Sequence, residues 1–234
     1  MKAIELKNEL AANKNITQAE ILQRFFKTGK DEYSENDIFL GIKVPVTRSI
    51  SAKYTDLDFV EIKKLLHSKI HEERLAAILI LVAKSKKSAN ESLAIIYTFY
   101  LQNIQWINNW DLVDLSAEHI IGKYLWFNKS SVLYQLAKSE NLWERRISII
   151  STFYFIKCGD FQPTLEIAKI LLNDEHDLIH KAVGWMLREI GKRDFDYENN
   201  FLKLNYKKMP RTMLRYAIEK FPESLRQDYL KNKI

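Results

Sequence analysis

Residues that bend or break helices are scarce in this chain, and their scarcity limits what it can fold into. Glycine occurs 6 times and proline 4 times in 234 residues, whereas proteins average about 7% and about 5%. An all-β protein needs turn residues at short intervals, and this chain does not supply them. Because 47% of the residues are hydrophobic, the chain can bury a substantial core, and we predict an all-α fold.

Local signals for helix starts support this prediction. Thr17 with Glu20 and Asp58 with Glu61 have the spacing of a capping box, in which each side chain satisfies a backbone N–H of the other residue. Between such signals, apolar residues recur with helical period. The pattern is interrupted from Lys27 to Val44, where we predict a long loop, a feature that often has a function in compact proteins.

A longer repeat is superimposed on these helices. Segments that begin with a long cation followed by an apolar row start at Arg74, Arg146, Lys181 and Arg211, at intervals of 72, 35 and 30 residues. The midpoint of the first interval is Trp110, the start of another helical segment. A period of about 30–36 residues made of two helices is typical of an α-solenoid. We therefore predict an α-solenoid that forms one domain over residues 1–234.

The sequence also predicts where the protein resides. The first ten residues, MKAIELKNEL, are charged rather than apolar, so we expect no signal peptide. The longest apolar run, Leu75 to Ala83, is far shorter than the ~20 residues that cross a membrane. The single cysteine, Cys158, excludes an intramolecular disulfide, and we expect it to be buried or half-buried. We predict a cytoplasmic monomer that does not bind membranes.

Positive charge is concentrated in one part of the chain. The net charge is +6, and residues 181–215, with nine Lys or Arg against four Asp or Glu, contribute +5 of it. Such a cluster indicates either an anionic partner or an ordinary solvated surface, and counting alone leaves both open.

Three segments carry polar side chains that a helical repeat does not require. In the first, Trp110 and Asp114 are four residues apart, which places an indole one helical turn from a carboxylate. The second is Leu142-Trp-Glu-Arg-Arg146. In the third a tryptophan and three cations form a stripe at i, i+4, i+7 and i+11: Lys181, Trp185, Arg188 and Lys192. Arg211 and Arg215 repeat the i, i+4 spacing. Either tryptophan alone could be a core residue, but a core face would exclude the cations, and cations around flat aromatic rings suit a nucleic-acid backbone.

In these segments the chain resembles the AlkD-type DNA glycosylases, bacterial alkylation-repair enzymes built from HEAT-like helical repeats. The resemblance extends over nearly the whole chain and rests on five segments: Arg24-Phe-Phe-Lys27, Phe39-Leu-Gly-Ile-Lys-Val-Pro45, Trp110-Asp-Leu-Val-Asp114, Leu142-Trp-Glu-Arg-Arg-Ile147 and Lys181-Ala-Val-Gly-Trp-Met-Leu-Arg-Glu189. The last three together are fairly specific. The chain departs from the family at Asn109, where a second tryptophan can stand, and at Phe25, where a tyrosine can stand.

The resemblance implies a basic concave groove that binds double-stranded DNA containing alkylated bases, with no cofactor and no metal. It assigns the catalytic cleft to three residues: Trp110, Asp114 and Trp185. The residues that we expect to contact DNA are Phe25, Arg146, Lys181, Arg188, Lys192, Arg211 and Arg215. An N3- or N7-alkylated purine is already cationic, so it leaves without a strong general acid, and an ionised carboxylate can stabilise the oxocarbenium-like deoxyribose that remains.

Two other kinds of protein remain as alternatives. A non-catalytic HEAT-repeat protein that binds DNA of unusual structure would keep the basic groove and lose the catalytic pair. A protein-binding solenoid would carry mixed or apolar anchors on its concave face instead of concentrated positive charge. Trp110 together with Asp114 favours the glycosylase.

Overall fold

The computed structural model describes all 234 residues and is all-α, which confirms the predicted fold class. Its only β-type pairing is a single bridge between Ile38 and Ile70. No helix combines the length and the apolar character that crossing a lipid bilayer requires. The chain forms two compact units, Met1–Ile120 and Ile121–Ile234.

The first unit contains seven α-helices. The helices are α1 (Ala3–Ala12), α2 (Ile16–Phe25), α3 (Val44–Ala52), α4 (Phe59–Leu66), α5 (His71–Lys87), α6 (Asn90–Gln102) and α7 (Trp110–Ala117). Helix α5 is the centre, because it packs against α3, α4, α6 and α7. Its apolar row, which includes Leu75, Ile78 and Leu81, is fully buried. This burial is the main stabilising contribution of the unit.

The second unit repeats this arrangement. Its helices are α8 (Lys123–Phe127), α9 (Val132–Leu136), α10 (Leu142–Lys157), α11 (Gln162–Ile170), α12 (Asp177–Gly191), α13 (Phe195–Asn205), α14 (Arg211–Ala217) and α15 (Glu223–Leu230). Helix α12 packs between α10 and α14, while α11 and α13 lie against it from outside. Helices α12 and α14 approach closely at Gly184, where a Cβ atom would lie 2.5 Å from the carbonyl oxygen of Met213.

Helix starts in both units recur at the interval that the sequence predicts. Helices α5, α7, α10, α12 and α14 begin at residues 71, 110, 142, 177 and 211, so their starts are 39, 32, 35 and 34 residues apart. Each of these helices is followed by at least one further α-helix before the next one begins, as the sequence period predicts. The predicted helical repeat is therefore confirmed.

Local predictions were confirmed unevenly. Asp58 caps α4 by accepting a hydrogen bond from the Glu61 N–H at 2.8 Å. The predicted capping box at Thr17 is wrong, because α2 begins at Ile16 and Asn15 caps it, two residues before Thr17. The loop before α3 is confirmed. Cys158 is exposed rather than buried, because it lies just beyond the end of α10.

Candidate functional site

The loop between α2 and α3 is held in place by the start of α5. The buried carboxylate of Glu72 accepts hydrogen bonds from the backbone N–H groups of Leu40, Gly41 and Ile42, at 2.9, 2.8 and 3.1 Å. Gly41 has φ +83°, and a Cβ atom there would lie 2.0 Å from the carbonyl oxygen of Asn15. The site therefore requires glycine, and the loop has one defined path over α5.

The imidazole of His71, next to Glu72, lies between two carboxylates. Its Nε2 is 2.8 Å from Asp111 Oδ2, its Nδ1 is 3.5 Å from Asp37 Oδ2, and Arg74 donates to the same Asp37 oxygen at 2.6 Å. Burial favours the neutral ring, but the charge of Asp111 and the hydrogen bonds to Asp111 and Asp37 outweigh it and raise the pKa of His71 to about 9. His71 is therefore an imidazolium at neutral pH.

A continuous stack of rings extends from His71 to the predicted catalytic tryptophan. The Phe39 ring lies 4.5 Å from the His71 ring, and the Phe26 ring lies 5.0 Å from that of Phe39. Trp110 stacks on Phe26 at 5.0 Å with an interplanar angle of 14°, and Phe25 contacts Trp110 edge-on at 5.8 Å. Phe26 and Phe39 are buried, Trp110 is half-buried, and Phe25 is 62% exposed. The stack thus leads from the interior to the surface.

Helix α7 begins at this stack and carries the predicted carboxylate. Asn109, fully buried, accepts from the Trp110 N–H at 2.8 Å and donates to the Ser34 hydroxyl at 2.6 Å. This ties the start of α7 to the loop. Asp114 is half-buried one turn after Trp110, so the two share one face. After burial, the charge of Asp114 is a further cause of the raised pKa of Tyr100.

In the second unit, the predicted stripe forms the solvent-facing side of α12. Apart from the helix ends, the neighbouring positions of the helix are mostly buried, while four residues remain partly or fully exposed: Lys181, Trp185, Arg188 and Lys192. The burial pattern therefore shows that these residues lie on one face, as their spacing predicts.

Each cation of this stripe has a carboxylate partner, which the sequence did not indicate. Lys181 pairs with Asp177 at 2.7 Å, Arg188 pairs with Glu219, and Lys192 pairs with Glu189 at 2.5 Å. Burial alone would raise the pKa of Glu189, but hydrogen bonds from Lys192 and Arg193 lower it. The positive charge of the face is thus smaller than the sequence count suggests.

Helix α14 contributes two further predicted cations. Arg215 is exposed and forms no ion pair, and Arg211 is exposed and donates one hydrogen bond to the Leu230 carbonyl at 2.9 Å. Both guanidinium groups are accessible to an anion, and for Arg215 no carboxylate must be displaced first.

Arg146 stands apart from the other predicted DNA contacts. It is 5% exposed, and its guanidinium donates to the Leu178 carbonyl at the start of α12. In this position it links α10 to the first turn of α12 through a backbone oxygen. Its predicted contact with a DNA phosphate stays a prediction.

The face around Trp185 also includes residues that the sequence reasoning missed. The Phe153 ring lies 5.9 Å from the Trp185 ring, and Lys157 Nζ lies 4.4 Å from the centre of the Phe153 ring. Beneath this face, the carboxyl of Glu198 is buried against Gly191, and burial raises its pKa to about 9 against the opposing charge of Arg188. Glu198 is therefore neutral at pH 7.

Comparison with known proteins agrees with these features. A family model described as "DNA alkylation repair enzyme" matches residues 6–221. A solved structure described as "Predicted DNA alkylation repair enzyme from Enterococcus faecalis" has the same fold, with a TM-score of 0.70 and 17% identity over 90% of this chain and 97% of that chain. Comparison with curated proteins gives no significant match.

Proposed function

Because the chain belongs to the family of DNA alkylation repair enzymes, we propose that it is a DNA glycosylase that hydrolyses the N-glycosidic bond of cationic alkylated purines in duplex DNA. Its substrates are of the 3-methyladenine and 7-methylguanine type. The observation that carries the proposal is the pairing on α7 of a half-buried tryptophan, packed on a stack of buried rings, with a carboxylate one turn away.

The chemistry of this pair suits departure of a base that is already positively charged. Loss of the neutral alkylpurine leaves positive charge on the deoxyribose. The carboxylate of Asp114 stabilises that charge and orients the attacking water, and the indole of Trp110 contributes a cation–π contact. Phe25, exposed and edge-on to Trp110, adds apolar surface beside the sugar. No side chain has to protonate the base.

The cations of the second unit contribute DNA binding, and the catalytic role expected of Trp185 stays a prediction. Cations on α12 and α14 meet DNA phosphates, with the acidic partners of Arg188 and Lys192 exchanged for phosphate oxygens. Trp185 lies flat against sugar or base among these cations. Residues 1–234 act together as a monomeric domain in this proposal.

A base-release assay tests the proposal. Duplex DNA treated with a methylating agent is incubated with the protein, and released 7-methylguanine and 3-methyladenine are measured. The chain should release both, and Asp114→Asn should slow release by about 10²–10³-fold, because one preorganised electrostatic contact is lost. The matched control is Asp56→Asn, which changes an exposed aspartate elsewhere in the first unit.

Measuring DNA affinity alongside release separates the enzyme from a scaffold. Asp114→Asn should bind DNA as tightly as the unmodified protein or more tightly, since a carboxylate near phosphates repels them. Tight binding with no release of either base would favour a non-catalytic protein that recognises DNA of unusual structure. Normal release by Asp114→Asn would refute the assigned role of Asp114.

A further inference from the structure

The ring stack beneath Trp110 ends on a charged group in the interior. His71 is 2% exposed and is held at two nitrogens by carboxylates from different parts of the chain, Asp111 on α7 and Asp37 in the loop. An imidazole with both nitrogens engaged cannot rotate about its own axis without losing a hydrogen bond. Its ring plane is therefore fixed, and Phe39 packs on that plane at an angle of 22°.

The orientation of the His71 ring constrains that of Trp110, because the Phe39 and Phe26 rings between them are buried and packed on one another. Phe26 and Phe39 are 6% and 4% exposed, and Phe26 contacts His71 directly as well, at 5.1 Å. Trp110 lies nearly parallel to Phe26. Closely packed interiors transmit small displacements instead of absorbing them. A change at His71 should therefore move the indole of Trp110.

We propose that His71 is a positioning residue: held between Asp37 and Asp111, it fixes the Phe39–Phe26–Trp110 stack and so sets the orientation of the indole that meets DNA. The indole's encounter with DNA rests on the proposed function, whereas the coupling of His71 to Trp110 does not. Every charged group that faces His71 is accounted for by Asp37 from the loop, Asp111 from α7 and Arg74 from α5 itself. Arg74 opposes protonation, and the two aspartates outweigh it.

The emission of Trp110 reports this coupling. It is obtained by subtracting the emission of a Trp110→Phe variant from that of the full chain, with excitation at the red edge of tryptophan absorption. Titration from pH 7 to pH 10 should give a transition with a midpoint near 9, as His71 loses its second proton. In His71→Gln the transition should vanish, and the emission should differ from that of the unmodified protein throughout the range.

The chain offers a matched control in His67. This half-buried histidine stacks on a different tryptophan, Trp106, at 4.5 Å and bonds to Asn103 through Nε2 at 2.8 Å. His67→Gln should leave the Trp110 transition unchanged. A Trp110 emission that is flat with pH in the unmodified protein overturns the proposal, as does an unchanged midpoint in His71→Gln. The titration of the unmodified protein decides the matter even where His71→Gln fails to fold.

Single-turnover release of 7-methylguanine, measured in parallel, separates this inference from the proposed function. His71→Gln should slow release about tenfold or more while changing DNA affinity little, because misplacing a positioned group affects the reacting complex most. A Trp110 transition without any base release by the unmodified protein would refute the glycosylase and leave the coupling intact. Normal release together with a flat emission would refute the coupling and leave the glycosylase intact.

Discussion

Charged side chains are buried around His71 in the first unit and lie at the surface along α12 in the second. In Met1–Ile120, charged side chains lie inside the protein and bond to one another: His71, Arg74, Asp37 and Asp111 are all at most 9% exposed. In Ile121–Ile234, the cations of α12 stay at the surface beside carboxylates, and the buried acid Glu198 loses its charge. Burial is similar for His71 and Glu198, but only His71 has opposite charges within bonding distance.

The placement of charge determines what each unit can do. A buried ion with partners on several elements fixes their relative positions, since each displacement breaks a bond in a place where water cannot replace it. Surface ion pairs contribute little to stability and are easily exchanged. The first unit is thus suited to holding a reactive geometry, and the second to taking up an anion by exchange.

The largest expected effect concerns Glu72. Glu72→Ala removes the acceptor of three buried backbone N–H groups, so we expect a loss of about 3–5 kcal/mol in the free energy of unfolding. Asp177→Ala, which breaks the exposed pair with Lys181, should cost about 0–1 kcal/mol. Urea denaturation of both variants measures the contrast. Equal losses of unfolding free energy in the two variants would show that the buried and the exposed carboxylate contribute equally to stability.

The next effect is the pH dependence that His71 gives to stability. The folded pKa of about 9 lies above the ordinary value of 6.5, so the stabilisation is fully present below pH 6.5 and is lost as the pH rises through 9. The change should amount to about 3 kcal/mol. Denaturation curves of the unmodified protein and of His71→Gln at pH 6 and pH 10 should converge at the higher pH. A constant gap would show that His71 is neutral in the folded state.

The free energy of unfolding should also depend on pH through Glu198, because no cation pairs with its buried carboxyl. Its folded pKa is also raised, to about 9 from 4.5, so its contribution is present at low pH and is lost as the pH rises toward 9. Glu198→Gln cannot ionise in either state, and at pH 6 it should be more stable than the unmodified protein by about 2 kcal/mol. At pH 4 the two should be equal. Greater stability of the glutamate form at pH 6 would mean that Arg188 compensates its charge.

The smallest effects should appear in DNA binding by the second unit. Arg215→Ala should weaken binding about fivefold and lower the slope of log K against log salt by about 0.9, the value of one phosphate contact. Glu219→Gln should strengthen binding by about twofold, because it releases Arg188 from its partner. Fluorescence anisotropy across a salt series measures both. Unchanged affinity in Glu219→Gln would show that the pair does not exchange.

The fold was largely predictable, because it follows from patterns along the chain. Apolar rows of helical period and the interval of about 30–36 residues depend only on sequence spacing. The same holds for the shared faces of Trp110 with Asp114 and of Lys181 with Trp185, which need only the geometry of one helix. These predictions required no knowledge of what lies opposite each face.

The candidate site was less predictable, because its details depend on residues far apart in sequence. His71 meets Asp37 and Asp111 across 34 and 40 residues, and Arg188 meets Glu219 across 31. The one local signal was the run His71-Glu72-Glu73-Arg74, charged residues at the head of the most buried helix. Such a run in front of an apolar row indicates buried polar partners, but it does not identify them.

Gly184 has a consequence for how this surface can diversify. Gly184 of α12 lies against the backbone of α14 and the Cβ atom of Tyr216, so the absence of a side chain at position 184 sets the separation of the two helices. Trp185, Arg188 and Arg215 can then be exchanged for other residues without respacing the helices. The residues that contact a ligand can therefore change while the packing of α12 against α14 stays the same. An alanine at position 184 would move α12 and α14 apart and so displace every residue of this surface, whereas an alanine at position 215 would remove one contact.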